Sequence, residues 1–148
     1  MIPEQLYREI LRVMPILCVD IIIVGPDGKY LLVKRRNEPL MGEWWTVGGR
    51  LLHGEKALDA AQRKLREEVG LKNDAMEFVR FYEDKFDRNS FETGVYHTVS
   101  LIYKTVFRDR PATPVLDSQS SDWMWADALP AHFVGRIEPY DALNNMIR

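Results

Sequence analysis

Between Ile16 and Val24 the chain is almost unbroken in apolar residues, the pattern of a strand covered on both faces. One charge, Asp20, interrupts it. Upstream, Pro3 to Met14 reads as a short helix with Leu6, Ile10 and Val13 on one side, ended by Pro15. Downstream, Gly25-Pro26-Asp27-Gly28 is a strong turn signal, and Lys29 to Arg36 returns as a second strand. Asn37 to Glu43 reads as a loop, and Trp44 to Val47 as a short strand ending at Gly48-Gly49.

The period then changes. From Lys56 to Val69, Ala57, Ala61, Leu65 and Val69 recur every fourth residue and give a helix one apolar face, with Gly70 as its C-terminal cap. Met76 to Phe86 and Val95 to Phe107 read as long strands joined by a loop around Asn89-Ser90. Arg108 to Pro114 is a loop, Trp123-Met124-Trp125 a short strand, Asp127 to Leu129 a turn, and Pro139 to Ile147 a last helix. Strands interleaved with a central and a terminal helix predict an α/β or α+β sandwich. No repeat or linker divides the chain, so one domain is expected over residues 1–148.

Composition narrows the class. With 148 residues, 46% apolar and 28% charged, the chain can bury a real core and is not of disordered type. Its formal net charge of −2 provides no field that would draw it to nucleic acid or anionic lipid. The solitary Cys18 lies in the apolar run, excludes an internal disulfide and reads as a small core residue. No apolar stretch has membrane-spanning length, and the start lacks the look of a signal peptide, so a cytoplasmic location is expected.

The candidate chemistry sits at the central helix. Gly49-Arg50-Leu51-Leu52-His53-Gly54-Glu55 leads into Arg63-Lys64-Leu65-Arg66-Glu67-Glu68-Val69-Gly70-Leu71. Glu67 and Glu68 diverge by about 100° on a helix yet can flank one ion. Mg²⁺ takes hard oxygen ligands and keeps waters, so two carboxylates plus diphosphate oxygens suit it. Gly48-Gly49 lets backbone run close to a phosphate and frees a carbonyl for a metal. Glu55 is placed to open the helix and cap it, and Arg63 stands one turn before Glu67, where it can hold that carboxylate. Taken alone, Arg63–Glu67 and Lys64–Glu68 are also what a solvated helix face would present. The glycine spacing upstream favours the site.

This segment resembles the Nudix signature, in which Gly is followed at fixed spacing by Glu, Arg-Glu and Glu-Glu before a final Gly. Every specified position matches except Lys64, which stands where the family has Glu. The resemblance implies a Nudix fold, a mixed sheet packed between helices, and a Mg²⁺-dependent hydrolase, with Mn²⁺ as the alternative ion. It also implies metal ligation by the Gly48 carbonyl, Glu67 and Glu68, with Arg63 bracing them.

One branch of that family, the GDP-mannose mannosyl hydrolases, also lacks the Glu and carries an Arg after the glycine pair. Pro15-Ile16-Leu17-Cys18-Val19-Asp20, Lys34-Arg35-Arg36-Asn37, Gly42-Glu43-Trp44-Trp45 and Asp117-Ser118-Gln119 look similar to segments of that branch. The implied roles are Asp20 on sugar hydroxyls, Arg35 and Arg50 on the diphosphate, and Gln119 on the Mg²⁺. The implied substrate is a nucleoside diphosphate sugar, cleaved by water at the sugar's anomeric carbon, and the implied assembly is a homodimer using the N-terminal helix. The branch places a His base directly after the Gln; here that residue is Ser120, which has no basic pKa near neutrality. His97, Asp122 or a helix glutamate remain as candidate bases, and attack at phosphorus remains open. A catalytically silent nucleotide-sugar sensor is the competing reading that Lys64 favours.

Overall fold

The computed structural model describes residues 1–87 and 89–133; the helix expected at Pro139 to Ile147 lies outside them. Helix α1 spans Glu4–Val13 and stops before Met14-Pro15. Its buried side is Tyr7 and Leu11, packed on Ile16 and Cys18, while the expected face loses Leu6 and Val13 to solvent. The reason is tertiary: the i,i+4 pair Tyr7/Leu11, with Ile10 partly covered beside it, meets the start of the first strand and Phe91 and Tyr96 beyond it.

That strand, β1 (Ile16–Val24), is the axis of the sheet, as its apolar run demands. Next in chain order come β2 (Tyr30–Arg35), β3 (Trp44–Trp45), β4 (Val47–Arg50), helix α2 (Ala57–Val69), β5 (Met76–Phe86), β6 (Tyr96–Val106) and β7 (Ser120–Ala126). The main path runs β3-β2-β1-β6-β5, with β4 paired to β1 and β7 to β2. β1 and β6 are parallel from Ile16↔Thr98 to Val24↔Val106, whereas β2 and β4 meet β1 antiparallel. The sheet is therefore mixed, as a Nudix fold requires.

Alternation along β1 sends Val19, Ile21 and Ile23 toward α2, where Ala60, Ala61, Leu65 and Val69 close the core. Ile22 faces the other way, with Leu32, Trp45 and Ile102 beneath Leu129 and Phe133. Trp45 is buried there, stacked on His132 at 4.6 Å, so this aromatic serves the core.

Three local expectations change. The strand expected at Trp44 to Val47 breaks at Thr46, and the glycine pair lies inside β4 rather than in a loop. Gly48 is the antiparallel partner of Asp20, and a Cβ on it would stand 2.4 Å from the Val19 carbonyl oxygen, so only glycine permits this pairing. Glu55 does not cap α2: Lys56 is the N-cap residue, without a side-chain cap. β7 begins at Ser120, earlier than the tryptophans suggest, and buries that serine. The glycine cap holds: Gly70 is left-handed at φ 67 and donates to the Arg66 carbonyl.

Candidate active site

Strand β4 runs over α2 and brings Gly48 against the inward glutamate of the pair, Glu68. Glu68 is turned inward and its side chain is 5% exposed, while Glu67 on the neighbouring position keeps 48%. Glu68 accepts weakly from the Gly48 amide at Oε2, 3.4 Å away. Burial pushes its carboxyl up to about 6, against the opposing pull of Lys64.

Lys64 is the unexpected occupant. Its side chain is 6% exposed, and its Nζ lies 2.8 Å from Glu68 Oε1 and 3.6 Å from Glu67 Oε2. At that distance the ammonium is the charge partner of Oε1, and its attraction opposes the rise that burial imposes on the carboxyl. The lysine arm runs across Gly49, where a Cβ would stand 2.7 Å from Lys64 Cε. The residue that breaks the signature is thus packed inside the site rather than displayed on its surface.

Arg63 organises the other side. Its Nε and Nη2 donate to the two oxygens of Glu55 at 2.7 and 3.0 Å, Nη1 to Glu67 Oε2 at 3.0 Å, and Nη2 also to the Arg50 carbonyl at 3.1 Å. One guanidinium therefore joins loop, strand and helix, using the fork geometry that a lysine lacks. Glu55 in turn accepts from the Leu52 amide at 3.0 Å. The Arg63 hydrogen bond is the main reason its carboxyl is held below the ordinary range.

On the sheet face opposite α2, Asp20 lies two positions along β1 from buried Cys18, and Arg50 is the cross-strand partner of that cysteine. After burial, which pushes the thiol up to about 12, the charges of Asp20, Arg50, Arg35 and Lys64 are the next influences on it. Asp20 accepts from Thr46 Oγ1 at 3.4 Å beside Gly48. The Arg50 guanidinium lies 4.3 Å from the centre of the Tyr7 ring, so α1 supports it from outside. Arg35 donates from Nε to the Pro39 carbonyl at 2.7 Å.

Other candidates stand apart from this group. His97 pairs with Glu83 at 2.8 Å across the β5–β6 ladder, five positions along β6 before Ile102, the partner of Asp20. Asp122 is exposed on β7 and accepts from the Trp123 amide. The Gln119 side chain is exposed; its backbone carbonyl receives the Arg36 amide and its own amide reaches Asp117. Asp117 belongs to the Asp117-Ser118-Gln119 segment, where the sequence assigned it no role of its own. Its amide donates to the Glu68 carbonyl at 3.3 Å, and its charge adds to the upward push on the Glu68 carboxyl. Its place two residues before Gln119 is the local signal for it. Among the described residues no helix is long and apolar enough to cross a membrane.

The NUDIX domain profile matches residues 14–142, and the chain belongs to that family. A low-salt glycan biosynthesis protein, Agl8 of Haloferax volcanii, is 37% identical over 70 residues, covering 47% of this chain and 44% of that protein. An ADP-ribose pyrophosphatase of Methanocaldococcus jannaschii is 41% identical over 68 residues, covering 46% and 40%. The chain thus aligns with less than half the length of these curated relatives. In three dimensions it is similar to a MutT protein from Methanosarcina mazei, with TM-score 0.71, 19% identity, and coverage of 89% of this chain and 97% of that one. That likeness establishes the Nudix fold. Nudix hydrolases generally work with divalent metals such as Mg²⁺ or Mn²⁺.

Proposed function

We propose that the chain hydrolyses a nucleoside diphosphate sugar, GDP-mannose-like, releasing nucleoside diphosphate and free sugar with Mg²⁺ bound at α2. The observation that carries this reading is the inward-turned Glu68, set beside Glu67 under the Gly48–Gly49 strand. The pair already holds one cation, the Lys64 ammonium, so its carboxylates are disposed to grip positive charge. The donor set is hard oxygen throughout, which fits Mg²⁺ or Mn²⁺. Gly48 through its carbonyl, Glu67 and Glu68 would hold the ion, with Gln119 as the further ligand the branch resemblance implies. Bound there, it would supply charge to a departing diphosphate.

The remaining work falls to the chain's own side chains. Arg35 and Arg50 clamp the diphosphate, where a planar fork forms two charge-assisted hydrogen bonds at once. Asp20 accepts from sugar hydroxyls and fixes the ring. Arg63 keeps Glu67 aligned. Water adds to the anomeric carbon as its bond to the diphosphate oxygen breaks, the electron pair leaves with the nucleoside diphosphate, and the water's proton passes to a carboxylate or imidazole. Asp122 and His97 are the candidates for that base, and both need a substrate-bound rearrangement to reach the sugar. The Agl8 likeness supports glycan chemistry as the setting. A homodimer through α1 belongs to the same reading, supported by exposed Leu6 at 50% and Val13 at 79%.

The second reading keeps the metal and moves the attack to phosphorus. The likeness to an ADP-ribose pyrophosphatase favours it, as does Ser120, buried and unable to act as the missing base. Incubation with GDP-mannose, other nucleotide sugars and ADP-ribose in water enriched in heavy oxygen separates the two. Label in free sugar is expected; label in phosphate moves the reaction to phosphorus. No release under Mg²⁺, with tight binding retained, replaces the hydrolase with a nucleotide-sugar sensor.

A further inference from the structure

A divalent cation and the Lys64 ammonium want the same oxygens. Lys64 Nζ stands 2.8 Å from Glu68 Oε1 and 3.6 Å from Glu67 Oε2, and both the lysine and Glu68 side chains are almost fully enclosed, at 6% and 5% exposure. Little solvent therefore screens the ammonium from an ion placed between these carboxylates. The arm is also sterically committed, because it lies against Gly49 at a place that only a glycine leaves open. Nearby carboxylates have other cations: Arg63 takes Glu55 and shares Glu67. Among the described residues Glu68 forms its ion pair with Lys64. An enclosed carboxylate without a countercharge is costly, so Glu68 is held ionised only with a cation beside it.

We infer that Lys64 is a tethered counter-ion of the Glu67–Glu68 pair that competes with the divalent metal, so that metal enters only as the ammonium withdraws from Glu68. The inference rests on the metal-binding reading of α2 given above. Its physical content is an exchange: one bound monovalent charge leaves and a divalent one arrives, keeping the buried carboxylate compensated in both states. The consequence is a site that is folded and satisfied without metal, and that binds metal more weakly than its two glutamates alone would. Metal concentration then becomes a control on the site, because occupancy requires work against the internal ion pair.

Two measurements on the full chain test this without an activity assay. Mn²⁺ titration followed by electron paramagnetic resonance compares wild type with Lys64→Gln, which keeps a hydrogen-bond donor near Glu68 and loses the charge. Removing the ammonium should tighten Mn²⁺ binding by about tenfold or more. Independently, brief acetic anhydride labelling with peptide mass spectrometry reads Lys64 in the wild-type protein, where no variant has to fold. Lys64 should be protected without metal and label several times faster at saturating Mg²⁺. Equal Mn²⁺ affinity in the variant, or unchanged Lys64 labelling at saturating metal, overturns the competition. A Lys64→Gln/Glu68→Gln double variant tests the metal site itself apart from the competition. If it still binds Mn²⁺ as tightly as Lys64→Gln does, the assignment of metal to α2 fails as well.

Discussion

Arg63 grips both oxygens of Glu55, at 2.7 and 3.0 Å, and so ties the loop after β4 to the middle of α2. Both side chains are mostly covered, at 21% and 15% exposure, and the same guanidinium reaches Glu67 and the Arg50 carbonyl. Arg63→Gln is expected to lower stability by about 2–3 kcal/mol, since it strands a partly buried carboxylate. Arg63→Lys should recover less than half of that, because one ammonium cannot reproduce the guanidinium fork that serves these four acceptor oxygens. Urea unfolding of the two variants checks this; full recovery by lysine would show that only the charge matters.

The same pair sets an acid limb. Glu55 is held below the ordinary carboxyl range, chiefly by the Arg63 hydrogen bond. A carboxyl with a depressed folded pKa stabilises the fold above its unfolded value of about 4.3. That contribution disappears as pH falls through the lower folded value. Glu55→Gln should therefore be less stable than wild type at neutral pH, and the two should converge in acid. A stability difference that stays constant between about pH 3 and pH 7 would remove this attribution.

Glu68→Gln should abolish metal-dependent turnover and leave the circular dichroism spectrum of the fold unchanged. The amide keeps the shape of an enclosed side chain beside Gly48 and Lys64 while losing the charge a metal needs. Turnover near the wild-type rate would remove Glu68 from the metal site.

Gly48→Ala should destabilise by about 1–3 kcal/mol. The added Cβ would meet the Val19 carbonyl oxygen at 2.4 Å and Asp20 Oδ1 at 2.6 Å, forcing β4 away from β1. Thermal unfolding reads the loss. A variant as stable as wild type would mean that β4 moves aside at no cost.

Tyr7 should act on the proposed site through Arg50, whose guanidinium lies 4.3 Å from its ring centre. Tyr7→Ala should raise KM for the nucleotide substrate about two- to fivefold with little change in kcat, and Tyr7→Phe should restore it. An equal fall in kcat for both variants would point to general damage in α1 packing instead.

Much of this molecule is legible from local pattern. The apolar run of β1, the turn at Gly25 to Gly28 and the four-residue recurrence of α2 each report a periodicity that short-range geometry enforces, and all three elements occur where expected. The adjacency of Glu67 and Glu68 and the left-handed cap at Gly70 are equally local. The α1 face was not: helical spacing permitted Leu6/Ile10/Val13, but burial went to Tyr7 and Leu11 because β1 lies on that side.

What the sequence determined by itself was the inventory: a Nudix loop and helix, two adjacent acids, an arginine one turn earlier, and a lysine out of place. Tertiary structure alone decided what those groups touch. Glu55 turned from the helix end to Arg63, Gly48 was pressed onto Asp20, and Lys64 was folded inward against Gly49 and Glu68. Local spacing specifies which side of a helix a residue occupies. Whether that side meets water, a neighbouring backbone or a buried carboxylate depends on how closely β4 is drawn across α2, and that distance is set by contacts between residues far apart in the chain.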